Sequence, residues 1–225
     1  MDEIADGVLR IGLGYVNAYL VVTDDGLVLV DTGLPKTHAK LQHALVGAQR
    51  SVGDVRAVLL THWHQDHTGG VGMVRAASGA RVVAHAVDAP VVDGSRPAPL
   101  KPIMRIAVPL LGDAAPTPVD EALTADGPFS VPGFTAVHTP GHTDGHVSYL
   151  LDRAGGFLFV GDAAASARGK VRLSPRPVTA DRDAARRSVA KLATLTFDVA
   201  VVGHGAPVTG SAVDRFRELA PVSPA

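Results

Sequence analysis

Three histidines and an aspartate fall within six residues, in His62-Trp63-His64-Gln65-Asp66-His67, and Thr68-Gly69-Gly70 follows. Imidazole and carboxylate are the ligands that borderline divalent metals such as zinc prefer. Side chains alternate along a strand, so His62 and His64 point the same way if strand geometry persists through them. Asp66 and His67 come where the chain must turn toward a helix, and can face a second point close to the first. One short loop thus offers two ligand pairs, which points to two metals. A lone histidine at a strand end is usually solvated or hydrogen-bonded. Four ligand-type residues at this spacing, directly after the apolar run Val55 to Leu60, read as a metal site. Two protein ligands per ion do not close a site, so others must come from elsewhere.

Three further places carry ligand-type residues directly after apolar runs. They are Thr139-Pro140-Gly141-His142-Thr143-Asp144-Gly145-His146 after Phe134 to Val137, Gly161-Asp162 after Phe157 to Val160, and Gly203-His204-Gly205 after Val199 to Val202. Each alone reads as a turn. Together with Asp31, which ends Leu27 to Val30, they all lie at the carboxyl ends of apolar strands, and in a layered sheet such ends gather along one edge.

The elements that must position these residues are short. Val8 to Ile11, Ala18 to Val22 and Leu27 to Val30 read as strands, the last two joined as a hairpin through Thr23-Asp24-Asp25-Gly26. Helical periods run over Thr37 to Ala48, Val71 to Ala77, Asp181 to Leu195 with Asp181 as N-cap, and Ala212 to Leu219. Arg81 to Ala84, Val147 to Leu151 and Phe197 to Val202 read as further strands. Strands dominate each half and helices follow in both, which predicts an α/β (α+β) chain of two mixed sheets packed together with helices outside. Nine of the 16 prolines lie between Pro90 and Pro132, where long regular elements are not expected. The apolar middle of that segment, with Ile103, Met104 and Ile106, must be buried against the core, in a partner subunit or over the active site.

The order His62-x-His64-x-Asp66-His67, then His142, Asp162 and His204, resembles the metallo-β-lactamase fold superfamily of metallohydrolases, and Leu29-Val30-Asp31-Thr32-Gly33 resembles its first motif. The resemblance runs from about Val8 to His204. It implies a four-layer αββα sandwich with a dinuclear site at one edge. His62, His64 and His142 would hold the first ion, Asp66, His67 and His204 the second, and Asp162 would bridge them with Asp31 in support. The ions implied are two divalent metals, zinc first, with iron or manganese as alternatives. Such a pair provides a metal-bound hydroxide for hydrolysis of a small ester, thioester or lactone, with Asp66 orienting it.

Within that superfamily, true β-lactamases carry Cys or Ser where Asp162 stands. Glyoxalase II-like thioesterases share the ligands but have a helical C-terminal extension, and only about 20 residues follow His204 here. Acyl-homoserine lactonases have a tyrosine after the bridging aspartate, where this chain has Ala163-Ala164-Ala165. Arg168, Lys170 and Arg172 are candidates for an anionic substrate, with solvent-facing charge as the simpler reading. An iron-dependent sulfur (persulfide) dioxygenase, a phosphodiesterase and a catalytically inert binding protein are the alternatives. Among the other histidines, His38 and His43 read as solvated and His138 as structural. His85 and His146 read as near-site residues that do not ligate, and Trp63 as packing.

Composition narrows the partners. The 225 residues are 46% hydrophobic, with net charge −1, 4% aromatic residues and no cysteine. One domain over 1–225 with a proline-rich insertion or lid at about 90–132 is expected. Disulfides and thiolate ligands are excluded, and the charge gives no support to a nucleic-acid partner. No apolar run reaches the roughly 20 residues that span a bilayer, and Met1-Asp2-Glu3-Ile4-Ala5-Asp6 does not resemble a signal peptide. A cytoplasmic enzyme acting on a small molecule is expected, with a homodimer left open.

Overall fold

The computed structural model describes residues 1–5, 7–100, 112, 114–167 and 169–220. The chain forms two compact units, Met1–Ala122 and Leu123–Ala225.

The first unit is built on a seven-stranded mixed sheet whose strands lie side by side in chain order. β1 (Asp2–Ala5), β2 (Val8–Gly12), β3 (Asn17–Thr23) and β4 (Gly26–Val30) form an antiparallel meander. The expected hairpin is present, with Thr23 opposite Gly26 across the Asp24-Asp25 turn. β5 (Val55–Leu59) and β6 (Arg81–His85) then add in parallel, and β7 (Glu121–Leu123) completes the sheet. Parallel pairing requires crossovers. These are α1 (His38–Gly47), and then α2 (Gln65–Thr68) followed by α3 (Val71–Ser78). Leu41 and Leu45 of α1 and Val71 and Val74 of α3 are buried in one cluster with Leu20, Leu29 and Val58 of the strands. Because β4, β5 and β6 run the same way, Asp31, the His62 loop and His85 all emerge at one end of the sheet.

The second unit has a six-stranded mixed sheet. β8 (Gly127–Pro128), β9 (Phe134–His138), β10 (Val147–Leu151) and β11 (Phe157–Gly161) pair antiparallel in sequence. The small hairpin of β12 (Ala165–Ala167) and β13 (Lys170–Arg172) precedes α5 (Arg182–Leu192). That helix carries the chain back to β14 (Val199–Val202), which lies parallel to β11. β15 (Val208–Thr209) and α6 (Ala212–Leu219) close the unit. Val189, Leu192 and Phe216 of the two helices pack with Leu158, Val160, Ala200 and Val202 of the sheet. Alternation of direction gives β9, β11 and β14 one sense, so the residues after them, His142, Asp162 and His204, emerge at one end. Two mixed sheets, each with its helices, are the expected fold class.

Differences from the expected elements are local. α5 stops at Leu192 rather than Leu195 because its last turn tightens, with Thr194 and Leu195 donating to Lys191 and Leu192 three residues back. Its N-cap is Asp181, whose carboxylate accepts from the amides of Asp183 (2.8 Å) and Ala184 (3.0 Å). Among the described residues the proline-rich segment holds only short elements, such as α4 (Ala89–Val92) at its start and the edge strand β8, where Pro128 is tolerated. Ala98, Leu100 and Val119 pack against the first unit's core. Ile103, Met104, Ile106 and Arg168 lie outside the described residues. Among the described residues no helix is long and apolar enough to cross a membrane.

Candidate functional site

In the first unit the ligand-type residues are held by the end of β4. Asp31 is buried and adopts a left-handed backbone (φ 60°), which aspartate tolerates better than most residues. Its Oδ1 accepts the Thr61 amide (2.9 Å). Its Oδ2 accepts the Thr61 hydroxyl (2.8 Å) and lies 2.7 Å from His67 Nδ1. The ladder between β5 and β6 therefore ends at Leu60, which bonds Val83, and Thr61 turns instead to a carboxylate. His62 and His64 accordingly sit in a loop. They do point the same way, His62 Nε2 lying 3.0 Å from His64 Nδ1, but loop hydrogen bonds rather than strand alternation place them.

Neighbouring residues fix the rings. The Thr61 hydroxyl donates to Asp31, so its oxygen accepts from His62 Nδ1 (3.0 Å) and leaves His62 Nε2 with a lone pair. His67 donates from Nδ1 to Asp31, which leaves Nε2 with a lone pair. Asp66, in the first turn of α2, places Oδ2 3.9 Å from that Nε2. Thr32 fastens the loop from the other side: its amide (2.7 Å) and hydroxyl (2.9 Å) both donate to the His67 carbonyl. Trp63 packs into the core, and its amide donates to Asp88 at 3.2 Å. Thr32, Thr61 and Asp88 are the supports that sequence reasoning missed. Each is a common polar residue whose partner is about 25 to 35 positions away, so no local pattern marks it.

In the second unit, Asp162 Oδ2 lies 3.3 Å from His142 Nε2 and 3.3 Å from His204 Nε2. His142 and Asp162 are buried, while the His204 side chain is 28% exposed. The His142 loop rests on the start of α5, with Ala180 donating to His142 (3.1 Å) and Asp181 to Gly141 (2.9 Å). His146 is fully buried, and its Nε2 accepts the Asp162 amide at 2.9 Å, so it supports a ligand-type residue rather than standing among them.

The remaining candidates fall where expected or are displaced for clear reasons. His43 is exposed, and His38 Nδ1 meets the Pro35 carbonyl. His138 Nε2 donates to the Asp144 carbonyl (2.9 Å), and the Asp144 side chain is exposed. His85 Nδ1 accepts from Val87 (3.3 Å). Lys170 and Arg172 are exposed on their hairpin, the solvent-facing arrangement.

The donor spacing suits metal. Two ligand atoms on one tetrahedral zinc, each at 2.0–2.1 Å, stand about 3.3 Å apart. The His62–His64, Asp162–His142 and Asp162–His204 separations are of that size. These His and Asp groups are suited to binding metal ions.

Comparison with known proteins agrees. The sequence profile of the metallo-beta-lactamase superfamily matches residues 11–204. A Bacillus subtilis (strain 168) protein named "Probable metallo-hydrolase YflN" is 29% identical over 239 residues, covering 92% of this chain and 87% of its own length. The thioesterase pkgB of Emericella nidulans is 31% identical over 222 residues, covering 91% of this chain, which spans 54% of that relative. A metallo-beta-lactamase family protein of Thermus thermophilus superposes with a TM-score of 0.72 at 25% identity, over 96% of this chain and 79% of its own. With the profile matched across most of its length, the chain belongs to the metallo-beta-lactamase superfamily.

Proposed function

We propose that this protein is a metal-dependent hydrolase of a small ester, thioester or lactone, with a dinuclear centre held by His62, His64, Asp66, His67, His142, Asp162 and His204. One observation carries the reading. A single oxygen of Asp162 stands at the same distance, 3.3 Å, from His142 and from His204, the histidines assigned to two different ions. A carboxylate so placed serves both. By resemblance, true β-lactamases of the superfamily carry Cys or Ser at this place, so an aspartate here disfavours β-lactam chemistry.

Divalent ions bound there would supply an acidified water and polarise the substrate carbonyl. The protein's own part is positional. Asp31 and Thr61 engage His67 and His62 through Nδ1, so that Nε2 of each ring is the nitrogen turned away from its support. Asp66, its side chain 16% exposed, is the residue assigned to orient the attacking water and take its proton. The name of pkgB as a thioesterase supports an acyl substrate, and a thioester is the first to try.

A panel of S-acyl thioesters, acyl-homoserine lactones, aryl esters, a phosphodiester and a β-lactam, run on zinc-, manganese- and iron-loaded protein, tests the proposal. Turnover of thioester, ester or lactone is expected. Phosphodiester cleavage alone, or oxygen uptake with a persulfide and no hydrolysis, would overturn it.

A further inference from the structure

Asp162 is gripped by its backbone on both sides, and the grip is built from groups the proposed chemistry does not otherwise use. Its amide donates to His146 Nε2 at 2.9 Å. Its carbonyl accepts from Ser174 Oγ at 2.7 Å. His146 is 0% exposed and Ser174 3%. The residue between these two bonds follows Gly161, whose φ of 55° turns the chain out of β11. Here the direction of the carboxylate depends on where the peptide planes on either side are held.

Elementary donor bookkeeping fixes the state of His146. Because the Asp162 amide can only donate, Nε2 must carry a lone pair. The ring proton is then on Nδ1, 2.8 Å from Thr139 Oγ1. The Thr139 hydroxyl donates to Ser148 Oγ at 3.0 Å, and Ser148 donates to the Val160 carbonyl at 3.1 Å. These bonds form a buried chain that closes on the strand delivering Asp162. The carbonyl grip is anchored too, since the Ser174 carbonyl accepts from Thr179 Oγ1 (3.2 Å) and Arg182 Nη1 (3.1 Å) beside the start of α5.

We infer that His146, as the neutral Nδ1–H tautomer, and Ser174 are positioning residues that aim the Asp162 carboxylate at His142 and His204. The inference rests on the proposed role of Asp162 as a shared ligand. Neither residue touches substrate. Both act through the peptide groups of Asp162, and losing such a support should cost about 10- to 100-fold in metal affinity.

Amide replacements separate the two faces of the imidazole. His146→Gln can present its side-chain oxygen where Nε2 stood and keep the Asp162 amide satisfied. His146→Asn is too short to reach it and keeps only a donor toward Thr139. Zinc affinity by chelator competition, thermal unfolding of the metal-free proteins and the imidazole ¹⁵N spectrum of the unsubstituted protein form the test. Expected are weakened zinc binding in His146→Asn and in Ser174→Ala, near-parent binding in His146→Gln, and a bare Nε2 with a protonated Nδ1 at His146. Parent-like affinity in both His146→Asn and Ser174→Ala, or equal losses in the Asn and Gln variants, would overturn the inference. So would a spectrum showing Nε2–H, which needs no metal and no variant. Failure of the unsubstituted protein to bind zinc would instead remove the proposed function on which the inference stands.

Discussion

His67 Nδ1 stands 2.7 Å from Asp31 Oδ2, both side chains buried, although 36 positions separate them in the chain. The contact makes the end of β4 the template for the loop after β5. Among the described residues Asp31 accepts three donors, two of them from Thr61. Asp31→Asn would turn one acceptor oxygen into a donor facing a donor, leaving a buried group unsatisfied at a cost of about 1–3 kcal/mol. The expected result is a lower urea midpoint with an unchanged slope, and metal affinity reduced about 10- to 100-fold as His67 loses its fixed tautomer. Unaltered affinity would show that the His67 ring is held by other means.

Metal content gives the second prediction. Protein purified without chelator, or reconstituted with zinc, is expected to approach two ions per chain by elemental analysis. His142→Ala should empty the first position and His204→Ala should mainly lower occupancy of the second. A single ion per chain at saturation would contradict the dinuclear assignment.

A third prediction concerns Gly141, beside His142. Its φ is 137°, and a Cβ there would meet the backbone of α5, coming 2.5 Å from Ala185 Cα. Gly141→Ala should combine backbone strain of about 1–3 kcal/mol with displacement of a packed helix, about 1–3 kcal/mol more. Gly79 is the control: its φ is 70°, but nothing lies within 4 Å of the added methyl. Gly79→Ala should therefore cost only the left-handed penalty, about 1–2 kcal/mol, and leave metal binding intact. Equal destabilisation of the two variants would remove the argument from helix contact.

The strand ends were readable because apolar runs stop abruptly at polar residues. Val147 to Leu151 and Ala212 to Leu219 fall where the pattern puts them. Asp31, the His62 loop, Asp162 and His204 stand just beyond such runs, which is why the sequence singles them out as candidates; His146 stands instead at the start of β10, and its contact with Asp162 is not written in that pattern. Ser174 was not legible. It lies in an irregular stretch after β13, and its importance comes only from a hydrogen bond to Asp162, which no periodicity records. The loop geometry of His62 and His64 was also hidden, since it depends on Thr61 leaving the ladder for Asp31. Tertiary hydrogen bonds between common polar residues are the part of the site that spacing does not encode.

The N-cap of α5 yields a pH prediction. Hydrogen bonds from the amides of Ala184 and Asp183 hold the Asp181 carboxyl below its ordinary value of 3.8. A depressed folded-state pKa means that this carboxylate stabilises the fold above pH 3.8, and the contribution is lost as pH falls through the lower folded value. The amide of Asp181 also donates to Gly141, so a frayed first turn loosens the His142 loop. Asp181→Asn, which keeps an acceptor but cannot titrate, should flatten the acid limb of the stability profile measured by circular dichroism. An identical acid limb in both proteins would show that other carboxylates govern it.

Asp66 decides whether the loop performs chemistry or only binds metal. It sits in the first turn of α2 with one oxygen 3.9 Å from His67 Nε2. If it orients the attacking water and takes its proton, Asp66→Asn removes an interaction made chiefly in the transition state. The loss should appear in kcat rather than KM, at about 3–4 kcal/mol of barrier, or roughly 10²- to 10³-fold. Asparagine keeps the size of the side chain and one acceptor oxygen, so metal content must be measured alongside the kinetics. Full occupancy with a collapsed kcat supports the assigned role. Full occupancy with an unchanged kcat would show that another group accepts the proton, and loss of one ion with proportional loss of rate would make Asp66 a ligand and nothing more.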